Sequence, residues 1–268
     1  MTATHNGAAT PLSRFGRRVP ITTTNTASAA TTTAGPSIPA TAVQTPIATI
    51  RSMIVCLPDG LPSQALTASQ LDRHFAVSGT LQARFWAVEA MWLWQTKHLV
   101  APRKGTPTYC AGGPVKLLEL AGMRQAAGMG AGIRHQLWQQ VVHGTQAAKA
   151  WHVFEARHLA ETDKYPYERA QTDFWNQPRV NAMRLHNASS YGAAHLAVEE
   201  LEMFQAGPVA YQHYSATTAI CADALLTPDG HKFAPASDAL AHRVTYLQQT
   251  NRYLGNLEAD QRLLAVAL

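Results

Sequence analysis

Apolar side chains recur at three- and four-residue intervals over most of the chain beyond residue 65, a period that buries one face of a helix. Ile133, Leu137 and Val141 mark one such stripe, with Trp138 beside it; Ala150, Val153, Phe154 and Leu159 mark the next, over residues 146–160. Lys164-Tyr165-Pro166 breaks the pattern, and shorter helices are predicted over 168–176 and 179–186, then over 193–204, 211–226 and 238–254. Thr227-Pro228-Asp229-Gly230 reads as a turn, and Ser237 is placed to cap the last helix. Upstream, residues 65–99 read as a first helical block interrupted at Ser78-Gly79-Thr80, residues 102–114 as a Pro/Gly-rich loop, and 115–123 as a short helix. Only residues 50–57 have the character of a strand. The predicted fold is mainly α: a single helical core over 51–226, a C-terminal helical extension over 227–268, and a flexible N-terminal arm over 1–50.

The arm follows from composition. Residues 1–50 contain 13 Thr and 10 Ala, with prolines at 11, 20, 36, 39 and 46. Such a stretch has too few large apolar groups to offset the entropy of ordering its backbone. Its arginines and lack of acids also fit an organellar transit peptide, although Gly16 interrupts any amphipathic period around Arg14, Arg17 and Arg18. No secretory hydrophobic region follows the start.

Charge is unevenly placed along the 268 residues. Residues 1–58 carry four arginines and no acid, residues 59–190 carry 14 Lys and Arg against 9 Asp and Glu, and residues 191–268 carry 4 against 8. A basic front and an acidic back suit a polyanion site in the front, or docking of one subunit's back on another's front. Ordinary solvated surface has the same composition. The longest apolar runs, 87–93 and 263–268, fall well short of the roughly 20 residues that span a bilayer, so no membrane association is expected. Cys56, Cys110 and Cys221 are odd in number and far apart, which points to buried thiols and neither a disulfide framework nor a zinc site.

Motifs with a defined chemical mechanism are absent: there is no phosphate-binding loop with its lysine, no nucleophile elbow and no HExxH. Gly128, Gly130 and Gly132 precede a helical stripe, where phosphate can bind, but without a lysine or a preceding strand they read as a hinge. Glu155 and His158 form an ExxH, and Glu89 and Glu199 are available as single carboxylates for a di-iron bundle. The second ExxH is missing, and His195 stands four residues before Glu199, the wrong order and spacing. No metal, no cofactor and no enzymatic activity are therefore expected. Between 134 and 191 aromatic and basic residues interleave, a mixture that suits single-stranded nucleic acid and equally a core with charged residues facing water.

The same stretch resembles the conserved core of coat proteins from flexuous filamentous plant viruses, the potexvirus-like and potyvirus-like group. The residues that carry the likeness are Arg134-His135-Gln136-Leu137-Trp138, Ala150-Trp151-His152-Val153-Phe154, the run from Lys164-Tyr165-Pro166 to Asp173-Phe174-Trp175, and Ala182-Met183-Arg184-Leu185-His186 with the small polar segment after it. The resemblance covers about 60 residues, and Trp175-Asn176 departs from the usual continuation. It implies a capsid protein in a virion: a helical core that self-associates head-to-tail into a filament and binds single-stranded RNA without sequence specificity. On the charge of the basic middle segment, the candidate RNA contacts are Lys164, Arg169, Arg179 and Arg184. The resemblance also implies a buried structural ion pair, whose matching positions are Arg134 and Asp173. The alternatives are a helical scaffold subunit of another assembly, in the cytoplasm or an organelle matrix, and a helical enzyme of di-iron type.

Overall fold

A computed structural model describes residues 48–58, 60, 72, 73, 75–92 and 94–268. Residues 1–47 of the expected arm lie outside the described residues. The strand read over 50–57 forms as β1 (Ser52–Leu57), but it is joined by a sheet that the helical period did not announce. The last strand of the chain, β8 (Arg262–Ala267), runs antiparallel to β1 from Ser52↔Ala267 to Leu57↔Arg262. On its other side β8 pairs with β2 (Thr80–Leu81) and β5 (Gly112–Pro114). β6 (Ala224–Leu226) lies parallel to β1 and turns through residues 227–230 into β7 (Lys232–Phe233). The predicted turn is therefore a hairpin, with Gly230 at φ 85° and its N–H donating to the Thr227 carbonyl at 3.0 Å.

The fold is thus helices built on a mixed six-stranded sheet, with mainly-α character confined to its middle. Two expectations are corrected here. The C-terminal residues do not form an appended helical extension, because β8 sits at the centre of the sheet. A fully apolar strand carries no period-two alternation, so Leu263-Leu264-Ala265-Val266 gave no strand signal. The block over 65–99 is also not helical as a whole. Among its described residues Asp72, Arg73 and Phe75 are helical, Ala76 takes φ 51°, and β2 and β3 (Phe85–Trp86) follow. β3 pairs with β4 (Tyr109–Cys110), a ladder between residues more than twenty positions apart.

Helix α1 (Leu120–Val141) is the spine, about 33 Å long at 1.5 Å per residue. The Glu119 side chain accepts the Gly122 N–H at its start, at 3.0 Å. Gly128, Gly130 and Gly132 lie within this uninterrupted helix, so they are no hinge. A Cβ at Gly132 would stand 2.7 Å from Gln212 Nε2, and one at Gly128 3.8 Å from the Ala216 Cβ, so these two glycines let α6 (Pro208–Ile220) lie close against α1. Four more helices follow α1 before or after that pair: α2 (Trp151–Ala160), α3 (Tyr167–Trp175), α4 (Pro178–Ser189) and α5 (Leu201–Gln205); α7 (Leu240–Gly255) precedes β8.

Three clusters hold these parts together. Ile54, Cys56, Leu225, Leu263 and Ala265 point from one sheet face toward Met123, Ile220, Tyr246, Leu247 and Leu254 on α1, α6 and α7. Met53, Val55, Leu57, Leu264 and Val266 point the other way, the alternation that a strand imposes. A helical core gathers Trp138, Phe174, Val180, Met183, Leu201, Phe204 and Tyr211, with Trp138 stacked on Phe204 at 5.4 Å between centroids.

Cys56, Cys110 and Cys221 are free and buried, and burial pushes their thiols up to about 12, about 11 and about 12. At pH 8 all three are protonated and shielded, so iodoacetamide is expected to label none of them in the native protein and all three in denaturant. Stoichiometric native labelling, read by mass spectrometry, contradicts the burial.

Candidate nucleic-acid interface

The basic and aromatic residues of the middle segment separate into three environments. Tyr165 is buried, with its hydroxyl donating to Asp173 Oδ2 at 2.8 Å and the Arg157 guanidinium 4.2 Å from its ring centroid. His158 Nδ1 lies 2.9 Å from the Tyr165 carbonyl oxygen. These contacts pin the turn between α2 and α3, which leaves Lys164 and Arg169 exposed on either side of it, Arg169 at 5.8 Å from the Tyr165 ring.

Arg179 is instead half-buried and committed. It donates to Thr145 Oγ1 at 3.1 Å, to the Thr145 carbonyl at 2.8 Å and to Gln205 Oε1 at 2.9 Å, with Cζ 5.3 Å from the Trp138 ring centroid. Gln205 in turn exchanges hydrogen bonds with the Ala148 backbone. The guanidinium therefore ties the α1–α2 connection to α4 and α5, a structural task that most of its donors serve.

Arg134 and Asp173 are not joined by an ion pair among the described residues. Asp173 serves Tyr165, while Arg134 lies beside Tyr211, whose hydroxyl donates to Glu200 Oε2 at 2.6 Å. Burial, then Glu200, raises the Tyr211 phenol, and the Arg134 charge opposes them. Arg134 thus interacts with Tyr211 on α6, its Nε is buried without a hydrogen-bond partner, and the expected partner Asp173 is bonded to Tyr165 instead.

Arg184 is the fourth candidate, and it is exposed. It lines an open cleft of about 320 Å³ together with Trp175, Asn187, His195, Val198 and Glu199. One wall is α4. The other is the segment before α5, fixed to α4 by Asn187, whose side-chain amide donates to the Leu196 carbonyl at 2.7 Å and accepts the Leu196 N–H at 2.8 Å. His186 Nε2 adds a contact to the Ala194 carbonyl at 2.9 Å. An indole, a guanidinium and an imidazole thus meet at a solvent-open surface with one carboxylate, Glu199, at its edge. An aromatic face can take a base and a guanidinium a phosphate.

No family model, curated protein or solved structure matches the chain.

Sequence reading picked out Arg184 and Trp175 but not the cleft. His195 and Glu199 were weighed only as metal ligands, and among the described residues no group of three or more His, Cys, Asp or Glu is placed to hold a metal. No helix of the described residues is long and apolar enough to cross a membrane. The small polar segment Asn187-Ala188-Ser189-Ser190, which closes α4, is the one available signal, since Asn187 is what holds the second wall in place.

Proposed function

We propose that the chain is a self-associating subunit that coats single-stranded RNA without sequence specificity, as in a helical filament or virion. The observation that carries the reading is the open cleft in which Trp175, Arg184 and His195 converge, the first two within the stretch that resembles the filamentous coat proteins. Lys164, just before α3, and Arg169, in its first turn, are also exposed and available to phosphate. Self-association is supported by α2, which contains no buried residue and leaves Val153 and Leu159 42% and 52% exposed. A second copy that covered these side chains would remove their apolar area from water. A contact of this sort that does not close on itself builds a filament.

The test uses soluble subunits and unrelated RNA sequences. Arg184→Ala is expected to weaken all of them alike and to flatten the slope of log affinity against log salt by about 0.7, one phosphate contact on a single strand. Trp175→Ala is expected to cost roughly 1–3 kcal/mol of binding, the range for one stacked base. Unchanged affinity and slope in both variants, with rods still visible by electron microscopy, leaves a scaffold subunit that assembles without RNA.

A further inference from the structure

A run of positive charge without an acid lies outside the stretch that first drew attention, between Glu89 and Glu119. Residues 90–118 hold Lys97, Arg103, Lys104 and Lys116 and no acid. Lys116 is paired with Asp260, but among the described residues Lys97, Arg103 and Lys104 are exposed and make no ion pair.

The register of the small sheet places one of these cations beside aromatic rings. Trp86 pairs with Tyr109 across β3 and β4, and Tyr109 pairs on its other side with Arg103, the two exchanging backbone hydrogen bonds at 2.6 and 3.2 Å. Directly opposed residues of antiparallel strands share a face, so Trp86, Tyr109 and Arg103 form a row across a three-stranded ribbon. Phe85 and Cys110, next along the strands, are fully buried on the opposite face. The row opens outward at its Tyr109 and Arg103 end: Tyr109 is 40% exposed, and its ring meets edge-on at 6.3 Å that of Trp86, which packs against the core. The loop whose two ends, Ala87 and Val100, both pair within this neighbourhood exposes Trp92 and Trp94 at 72% and 61%. Among the described residues 88–109 no Leu, Ile, Val or Met is exposed, so the exposed apolar groups there are aromatic faces set among cations, the mixture that stacks bases and neutralises phosphates.

We propose that this ribbon is a second single-stranded nucleic-acid surface, on which Tyr109 stacks a base while Arg103 and Lys104 take the flanking phosphates. The proposal rests on the reading that the chain binds single-stranded RNA, but it assigns that binding to residues on a different part of the fold. A rigid aromatic row with a neighbouring guanidinium holds a base and its phosphate at fixed separation, which lowers the entropic cost of ordering a flexible strand. Trp92 and Trp94 extend the stacking surface beyond the row.

The test compares the full-length chain with three variants on a labelled 20-nucleotide RNA across a salt series. Arg103→Ala/Lys104→Ala is expected to flatten the salt slope by about 1.4, two phosphate contacts. Tyr109→Ala is expected to weaken binding roughly tenfold or more while Tyr109→Phe keeps it. Since Tyr109 also packs on Trp86, Trp92→Ala/Trp94→Ala supplies a stacking variant at fully solvated positions, with a severalfold loss expected. Circular dichroism confirms that each is folded. If the ribbon variants bind as the unaltered chain does while Arg184→Ala weakens binding, this proposal falls and the cleft remains the site. If the unaltered chain binds no RNA, both readings fall. If the ribbon variants lose binding to phosphatidylserine vesicles and keep that to RNA, the surface is a lipid contact and the proposal is overturned.

Discussion

Gly112→Ala is expected to lower the melting temperature by roughly 10 °C. A Cβ at Gly112 would stand 2.0 Å from the Leu263 carbonyl oxygen and 2.9 Å from the Leu264 Cα, both backbone atoms of the central strand β8. No rotamer change relieves such a clash. β5 must move away from β8, and that strains the bond from the Ala265 N–H to the Ala111 carbonyl, now 2.7 Å. Forced overpacking of this kind costs about 3 kcal/mol. Gly130→Ala is the matched control. Nothing lies within 4 Å of its added methyl, and alanine is favoured over glycine inside a helix by about 1 kcal/mol, so that variant is expected to melt a few degrees higher. Differential scanning calorimetry separates the two. A Gly112→Ala protein that melts within a degree or two of the unaltered chain would mean that β5 does not lie against β8.

The second large effect is expected from Arg84→Met. The Arg84 Nη2 donates to the carbonyls of Thr218, Ala219 and Cys221, the last acceptors of α6, at 2.9 Å and 3.3 Å for the first two. Helix ends leave carbonyls without partners and carry a partial negative charge, so a buried cation here satisfies both. Burial lowers the Arg84 pKa and the nearby Asp223 opposes that shift. Asp223 itself holds the start of β1 by accepting the Arg51 and Ser52 N–H groups, each at 3.0 Å. Methionine fills similar volume but donates nothing, so about 3 kcal/mol of stability should be lost. In urea the midpoint should fall with the slope unchanged. Arg84→Lys should recover only part of this, because its ammonium stands short of the Nη2 position from which all three carbonyls are reached. A loss under about 0.5 kcal/mol in Arg84→Met would show that water serves those carbonyls equally well.

Much of the helical middle was legible because its determinants are local. The stripes and the Lys164-Tyr165-Pro166 break located α2, α3 and α4 to within a few residues, and the turn at 227–230 came from Pro and Gly chemistry alone. The glycines of α1 misled for a physical reason. Their helix cost is met by close packing against α6, and no window along α1 contains α6. Ala193 to Phe204 was read as one helix but is two short 3₁₀ turns followed by α5, its last residues drawn into the core by Phe204 and Leu201.

The sequence by itself determined the helical stripes, the buried character of its cysteines, the basic front and the aromatic-cation mixture, since each depends on residue type and near spacing. Tertiary structure alone decided the sheet, because β1 finds its partner some two hundred residues away, and Leu57 opposite Arg262 leaves no trace in either local pattern. It also decided which cations keep most of their donors open to solvent, Arg184 spending only one contact, on Asn181 Oδ1 at 3.1 Å. Arg179 and Arg184 stand five residues apart on α4, yet one is spent on Thr145, Gln205 and Trp138 while the other opens onto a cleft with Trp175. A guanidinium's donors go to whatever carbonyls the fold brings within about 3 Å, and that is a property of packing between elements.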